Sequence, residues 1–381
     1  MLAFESYQLN KDNGGFANDP TIYSALAAIS VDQVILRGHE DGVRSLALTK
    51  DGKTLFSCGD DNKLLIWKLG DTQSQPVPAV MPRQNQGVLR SIGITADDRL
   101  LIAGNTAGDL LIWKRSAINT APRVVHGHEG VISELAMHPG GKLMASAGSD
   151  GRLILWNLEN DQFTKTIIDS IPGKMECVAF SADGRLLAYG TVFGAIKTVD
   201  MSKQPYKPSI LRSSGFGVLS IAFSKDESSI AAGLSNGIIL VWNRNEPATK
   251  PREVLGRHLS GITALEFSQD CGELASASYD RTMKLAGFPT PEANPIAMEN
   301  HELWVYDILF TPDNKHLISS SADKTIRIVS TENSMMADNL KKRLTRNMTI
   351  EEWKKMVGSD IPYRKTRDDL PGSENSNKQT N

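Results

Sequence analysis

GHEDGVRSLALTKDGKTLFSCGDDNKLLIWK, residues Gly38 to Lys68, decides the fold. It contains a short apolar strand, VRSLAL, and a turn at Asp51-Gly52. A second strand, TLFSC, leads to another turn around Asp61-Asn62, and a third strand, KLLIW, follows. Apolar positions that alternate along short runs bounded by Asp, Gly and Asn turns are the pattern of a half-buried antiparallel meander.

Working outward, the same pattern returns six more times. The first apolar anchor of the first strand falls at Leu46, Ile92, Leu135, Val178, Ile221, Leu265 and Ile308. The end of the third strand falls at Trp67, Trp113, Trp156, Val199, Trp242, Ala286 and Val329. Both series step by about 43 residues, the length of a four-stranded propeller blade. The spacing predicts an all-β, seven-bladed propeller over residues 33–331, with a helical flank at 1–32 and a helical element and disordered tail at 332–381.

Gly38-His39 and Gly127-His128, the strand-ending tryptophans, and phrases such as AFSADGRLLAYG and LFTPDNKHLISSSADKTIRI resemble the WD-repeat family. The resemblance implies a hydrogen-bonded tetrad of His39, Ser57, Asp61 and Trp67 in the first repeat. In the third it implies His128, Ser146, Asp150 and Trp156. The sixth repeat keeps His258, Ser276 and Asp280 but has Ala286 in the tryptophan slot. The seventh keeps His301, Ser319 and Asp323 and ends in Val329. The histidine slot holds Asn85, Ile171 and Ser214 in the second, fourth and fifth repeats, so these blades are expected to be held by apolar packing. The resemblance also implies that QVIL, Gln33 to Leu36, completes the last blade beside TIRIV, Thr325 to Val329, which removes two free sheet edges.

The flanks read as helices. Asp19-Pro20 is a helix start, with Asp at the N-cap and Pro in the first turn, inside an N-terminal helical hairpin. A basic helix is expected from about Asn333 to Arg346. Thr349 and Glu352 have capping-box spacing, and Ile350, Trp353, Met356 and Val357 form a stripe suited to docking on the propeller or to a partner. From Asp368 onward the chain is polar and reads as disordered. NLKKRLTRNMTIEEWKKMVGSDIPYRKT and LAFESYQLNKDNGGFANDPTIYSAL resemble elements that flank the propellers of multidomain bacterial WD-repeat signalling proteins. In those proteins the upstream part is often a STAND-type ATPase or a caspase-like effector. Thr366-Arg367 departs from that pattern, which closes in Thr-Cys.

Composition narrows the chemistry. The 42 lysines and arginines against 44 acidic residues give no broad field for nucleic acid. Cys58, Cys177 and Cys271 are far apart and read as free thiols. No HExxH or P-loop sequence occurs. Four of the seven histidines fall in one repeated slot around a ring, His138 and His316 lie beside turns, and no metal or cofactor is expected. AGNTAGD is a hairpin turn by position. No export signal or long apolar run is present, so the reading is a cytoplasmic protein with no membrane segment in this chain.

What remains is binding. The residue two before each strand anchor should reach the rim of the propeller face: Arg44, Arg90, Ser133, Glu176, Leu219, Thr263 and Tyr306. Phe216, Leu303 and Trp304 lie in nearby loops. Arg, Tyr and Trp are enriched in binding hot spots, so Arg44, Arg90, Trp304 and Tyr306 form the expected centre of a partner-binding patch, with Glu176 and Leu219 on the same rim. The expected function is a non-catalytic platform for a protein or peptide in bacterial signal transduction. The alternatives are an enzyme using the central channel, or a structural assembly subunit.

Overall fold

The computed structural model describes residues 1–29, 33–70, 79–80, 87–159, 162–244, 251–254, 257–289 and 294–370. Seven four-stranded antiparallel sheets follow one another around a ring. Blade one, for example, runs Val43–Leu48, Thr54–Gly59, Leu64–Lys68 and Ala79–Val80 from the channel outward. Blade seven is assembled from both ends of the chain. Val34 pairs with Ile328 and Arg37 with Thr325, so the N-terminal strand Val34–Arg37 is the outer edge of a blade otherwise built from Val305–Ser330.

A repeated turn fixes the hairpin between the first two strands. In blade one the Thr49 hydroxyl accepts the N–H of Thr54 at 3.0 Å and donates to Asp51 at 2.6 Å. Thr95 with Asp97, Ser181 with Asp183, Ser224 with Asp226, Ser268 with Asp270 and Thr311 with Asp313 repeat the arrangement. These short side chains satisfy turn backbone that the ladder leaves unpaired.

The core lies between blades. Trp156 of blade three is buried with Leu100, Ile102, Leu110 and Ile112 of blade two. Each such aromatic is worth about 3–5 kcal/mol against truncation to alanine. In blade six, where Ala286 replaces the tryptophan, Phe288 occupies the same cluster and meets Phe267 edge-on at 4.9 Å. In blade four, where Val199 stands in that slot, Tyr189 is fully buried and donates its hydroxyl to Asp169.

Among the described residues four α-helices flank the ring. Helix α1 (Leu2–Asp12) and α2 (Pro20–Ile29) pack on each other and on α3 (Asn333–Arg343). Asp19 Oδ1 accepts the N–H groups of Thr21 at 2.9 Å and Ile22 at 3.1 Å. Phe4, Tyr7, Tyr23 and Leu26 join the core of blades six and seven, and the Tyr23 hydroxyl donates to the Ser330 carbonyl at 2.8 Å. Helix α3 stops at Arg343, short of Arg346, because the Arg367 guanidinium donates to the carbonyls of Lys341, Lys342 and Leu344 at its C-terminus.

The last element departs from the sequence reading. Helix α4 (Ile350–Met356) has the Thr349–Glu352 capping box, but its apolar stripe is not buried as a unit. Trp353 is enclosed, with its indole donating to the Ile361 carbonyl and its ring against Tyr363. Ile350 and Met356 stay exposed. The chain after α4 folds back over Trp353 and docks on α1, where the buried Glu5 carboxylate bonds Arg364 and Thr366. Asp368 to Leu370, read as the start of a disordered tail, are held in place by Asn347, which donates to the carbonyls of Arg367 and Leu370. The rest of that tail, 371–381, lies outside the described residues.

Candidate functional site: the bulged rim and its aromatic track

The first strand of every blade carries one register shift against the second, and it falls at the same place each time. The residues skipped are Arg44, Arg90, Ser133, Glu176, Leu219, Thr263 and Tyr306. These are the seven positions that the sequence reading expects at the rim, and each lies at the bulge. An extra residue in one strand turns its side chain away from the pleat, and each of these seven residues is half-buried.

In five of the blades the next residue in the strand reaches the neighbouring blade. Ser45 accepts the N–H of Ile92 at 3.3 Å and Ser91 that of Leu135 at 3.0 Å. Glu134 accepts from Val178 at 2.8 Å and Asp307 from Leu46 at 2.8 Å. Cys177 Sγ lies 3.5 Å from the Val218 carbonyl. Lower down, Glu266 accepts the N–H of Phe310 at 2.6 Å. These groups tie the wall of the channel together. Burial pushes the Glu134 carboxyl up to about 8, with the negative charges of Asp307 and Glu176 adding to it. Burial likewise raises Glu266 to about 7 and Asp307 to about 6.

On the rim the structure brings four of the sequence-selected residues together. Arg44 donates through Nε to Asp60 Oδ2 at 2.7 Å, with Nη2 at 2.5 Å from the same oxygen. Arg90 Nη1 stands 3.6 Å from the other oxygen, Oδ1. The Arg44 guanidinium lies 4.0 Å from the centre of the Tyr306 ring. Tyr306 is 6.5 Å from Trp304, and Tyr279 meets Trp304 at 5.4 Å and Tyr306 at 6.3 Å. Glu176 pairs with Lys174 at 2.7 Å. Leu219 lies against the loop at Gly261, where an added Cβ would sit 2.7 Å from Leu219 Cδ1.

The tetrads sit beneath the same loops. His39 Nε2 is 2.8 Å from Ser57 Oγ, which accepts the Trp67 indole at 2.8 Å, and His39 Nδ1 is 3.0 Å from Asp61. In blade three the corresponding distances are 2.7 Å for His128 to Ser146, 2.9 Å for Trp156 to Ser146 and 2.9 Å for His128 to Asp150. His258 and His301 make the same pair of contacts, to Ser276 and Asp280 and to Ser319 and Asp323. Burial works to raise the Asp280 and Asp323 carboxyls, but hydrogen bonds from the histidines and from Thr282 and Thr325 outweigh it and hold both low. Burial lowers the His128 imidazole. Blades two and five keep a tryptophan but have Ala103 and Ala232 in the serine slot, and the indole N–H groups of Trp113 and Trp242 find no acceptor among the described residues. Asn85 lies outside the described residues.

Comparison with known families agrees with this geometry. The WD domain, G-beta repeat, is matched over residues 31–68, 120–157, 208–243, 249–285 and 295–330. The fold is a seven-bladed β-propeller of the WD-repeat type. A 35-residue stretch is 51% identical to the ribosome biogenesis protein WDR12 homolog of Chlamydomonas reinhardtii, covering 9% of this chain and 8% of that protein. So short a match, within a repeated motif, carries the repeat and not the relative's role.

Sequence reasoning missed several members of the WD-repeat propeller's exposed face. Phe193 occupies in blade four the slot that holds the tetrad aspartate elsewhere. With Ile171 in the histidine slot it has no tetrad to join, and it is 68% exposed. Leu259, beside His258, is 95% exposed, and Tyr279 sits beside Asp280. Asp60, which joins the two arginines, stands beside the turn at Asp61-Asn62. Large apolar side chains in or beside tetrad slots were the available signal.

Among the described residues no group of three or more His, Cys, Asp or Glu side chains could hold a metal ion, and no helix is long and apolar enough to cross a membrane.

Proposed function

We propose that this propeller is a protein-interaction platform whose partner seats on the face carrying Arg44, Arg90, Trp304 and Tyr306. The observation that carries the reading is the clustering of these four side chains, from three blades, into one half-exposed patch with Asp60 and Tyr279. Arginine and aromatic side chains held rigidly at the centre of a face are what interface hot spots consist of. WD-repeat propellers in general mediate protein interactions, and the central-channel carboxylates are engaged as acceptors for backbone N–H groups of neighbouring blades. Resemblance of the flanks supports a place at the sensing or docking end of a cytoplasmic bacterial signalling assembly, with an effector on another part of the assembly.

The test is affinity capture from host lysate with the wild type and an Arg44→Glu/Trp304→Ala double variant as baits. Each captured protein is then purified and titrated directly. The expected result is a partner that binds the wild type and is lost by the double variant, while the melting temperatures agree within a few degrees. The same set captured by both baits overturns the reading.

A further inference from the structure

The exposed apolar residues of the patch face are not scattered. They lie on neighbouring loops that follow one another from blade four to blade seven. In blade four the Phe193 ring leans over the loop at Gly173, where an added Cβ would lie 2.4 Å from Phe193 Cε2. The same turn abuts the Phe216 loop: a Cβ on Gly194 would be 2.6 Å from the Phe216 carbonyl oxygen, and one on Gly217 would be 3.0 Å from that of Val192. Leu219, two residues on, touches the loop at Gly261, whose carbonyl accepts the Tyr279 N–H at 3.0 Å. Tyr279 meets Trp304, Trp304 meets Tyr306, and Tyr306 carries Arg44. The track ends at Arg44, Asp60 and Arg90.

Two features of this track specify what fits it. Its members are one or two side chains per blade, so it is long and narrow, which suits an extended chain better than a broad globular surface. Its polarity is graded. Blades four to seven contribute Val192, Phe193, Phe216, Leu259, Trp304 and Tyr279, all exposed. Blades one and two contribute two guanidiniums that share one carboxylate, leaving one net positive charge. Arg90 is the less engaged of the two: its contact with Asp60 is at 3.6 Å, and its Nε finds no acceptor among the described residues. That Nε is buried, so a carboxylate arriving from outside would be taken at the exposed Nη groups of Arg90 through a charge-assisted hydrogen bond. The three aromatic rings, nearly perpendicular to one another, could also cradle an organic cation, but the guanidinium of Arg44 already lies over Tyr306 at 4.0 Å.

We infer that the occupant of this face is an extended peptide segment of the partner, carrying one carboxylate side chain taken by Arg90 and, beyond it, apolar side chains laid over Trp304, Tyr279, Phe216 and Phe193. The inference rests on the proposed docking role of the same face and adds the partner's chemistry.

Panning a random twelve-residue displayed peptide library on the full chain tests it, with Arg90→Gln, Trp304→Ala and Phe193→Ser variants as counter-targets of unchanged melting temperature. The expected result is enrichment of peptides with one Asp or Glu followed or preceded by two or more large apolar residues. Synthetic copies should bind at least tenfold more weakly to Arg90→Gln and to Trp304→Ala, and replacing the acidic residue should abolish the Arg90→Gln difference. Enriched peptides that are basic or uncharged, yet still sensitive to Trp304→Ala, overturn the acidic-segment inference and leave the docking face standing. Peptides indifferent to Trp304→Ala and Phe193→Ser overturn both. No enrichment overturns the extended-segment inference, and the lysate capture with the double variant then decides the docking role separately.

Discussion

The carboxylate of Asp307 in blade seven accepts the backbone N–H of Leu46 in blade one at 2.8 Å, across the seam where the ring closes. A second oxygen of the same group accepts the N–H of Ile308 at 2.9 Å. The seam is therefore held on the channel side by Asp307, as well as on the outer side by the strand Val34–Arg37. Asp307→Ala orphans both amides and should lower unfolding stability by about 1–3 kcal/mol. Asp307→Asn keeps an acceptor and should recover much of that. Urea unfolding of the two variants decides; equal losses would show that the charge, not the acceptor, matters.

Ser146 is the hub of the blade-three tetrad, serving both His128 and Trp156. Ser146→Ala leaves two buried groups without their partner, and a cost of about 2–4 kcal/mol is expected. Blade five offers the converse experiment. Trp242 pairs with Ile230 as Trp67 pairs with Leu55, so residue 232 stands to Trp242 as Ser57 stands to Trp67. Ala232→Ser should give the orphaned indole an acceptor and raise stability by about 1 kcal/mol. A loss of stability there would mean the site is too tight for the hydroxyl.

Stability should fall on the alkaline side of mild acidity. Burial raises Glu134 to about 8, Glu266 to about 7 and Asp307 to about 6 in the folded chain, whereas the unfolded chain titrates them near ordinary carboxyl values. Between about pH 5 and 8 the folded state therefore holds more protons, and unfolding free energy decreases as pH rises through that window. At the acid end the sign reverses. Asp280 and Asp323 are held low by their histidine partners, so their contribution is lost as pH falls. Glu134→Gln retains an acceptor for Val178 and has no proton to lose. Its urea midpoint should drop less than that of the wild type between pH 5.5 and 8.5, and an identical drop would remove Glu134 from the account.

Glu5 joins the two ends of the chain through Arg364 and Thr366. Glu5→Ala should release the segment after α4 from α1 and leave the blades intact. Hydrogen exchange is expected to rise at residues 361–370 with little change in blades two to five. Protection unchanged at 361–370 would show that Asn347 and Arg367 hold that segment without Glu5.

The repeat was legible because it is a local property. Strand alternation, Asp/Gly turns and the 43-residue step are written along the chain and need no partner to be seen. The seven selected positions coincide with the bulges for the same reason, since both keep a fixed offset from each strand anchor. Phe193 and Leu259 were not singled out, because a large apolar residue beside a strand reads as core unless the slot next to it is known to be empty. The Trp353 stripe misled in the other direction: amphipathic spacing names a face to bury, but only Trp353 was covered, by its own downstream chain at Ile361 and Tyr363.

By itself the sequence determined that seven equivalent meanders must pack side by side, and which residue of each stands two before the strand anchor. Only the tertiary structure decided what those side chains meet. Leu46 and Asp307 are 261 positions apart, and Arg44 reaches Tyr306 because closure makes the first and last blades neighbours. Local pattern follows from backbone geometry and period, which each repeat carries alone. The charge and aromatic partners at the rim follow from the order of blades around a closed ring, which no single repeat contains.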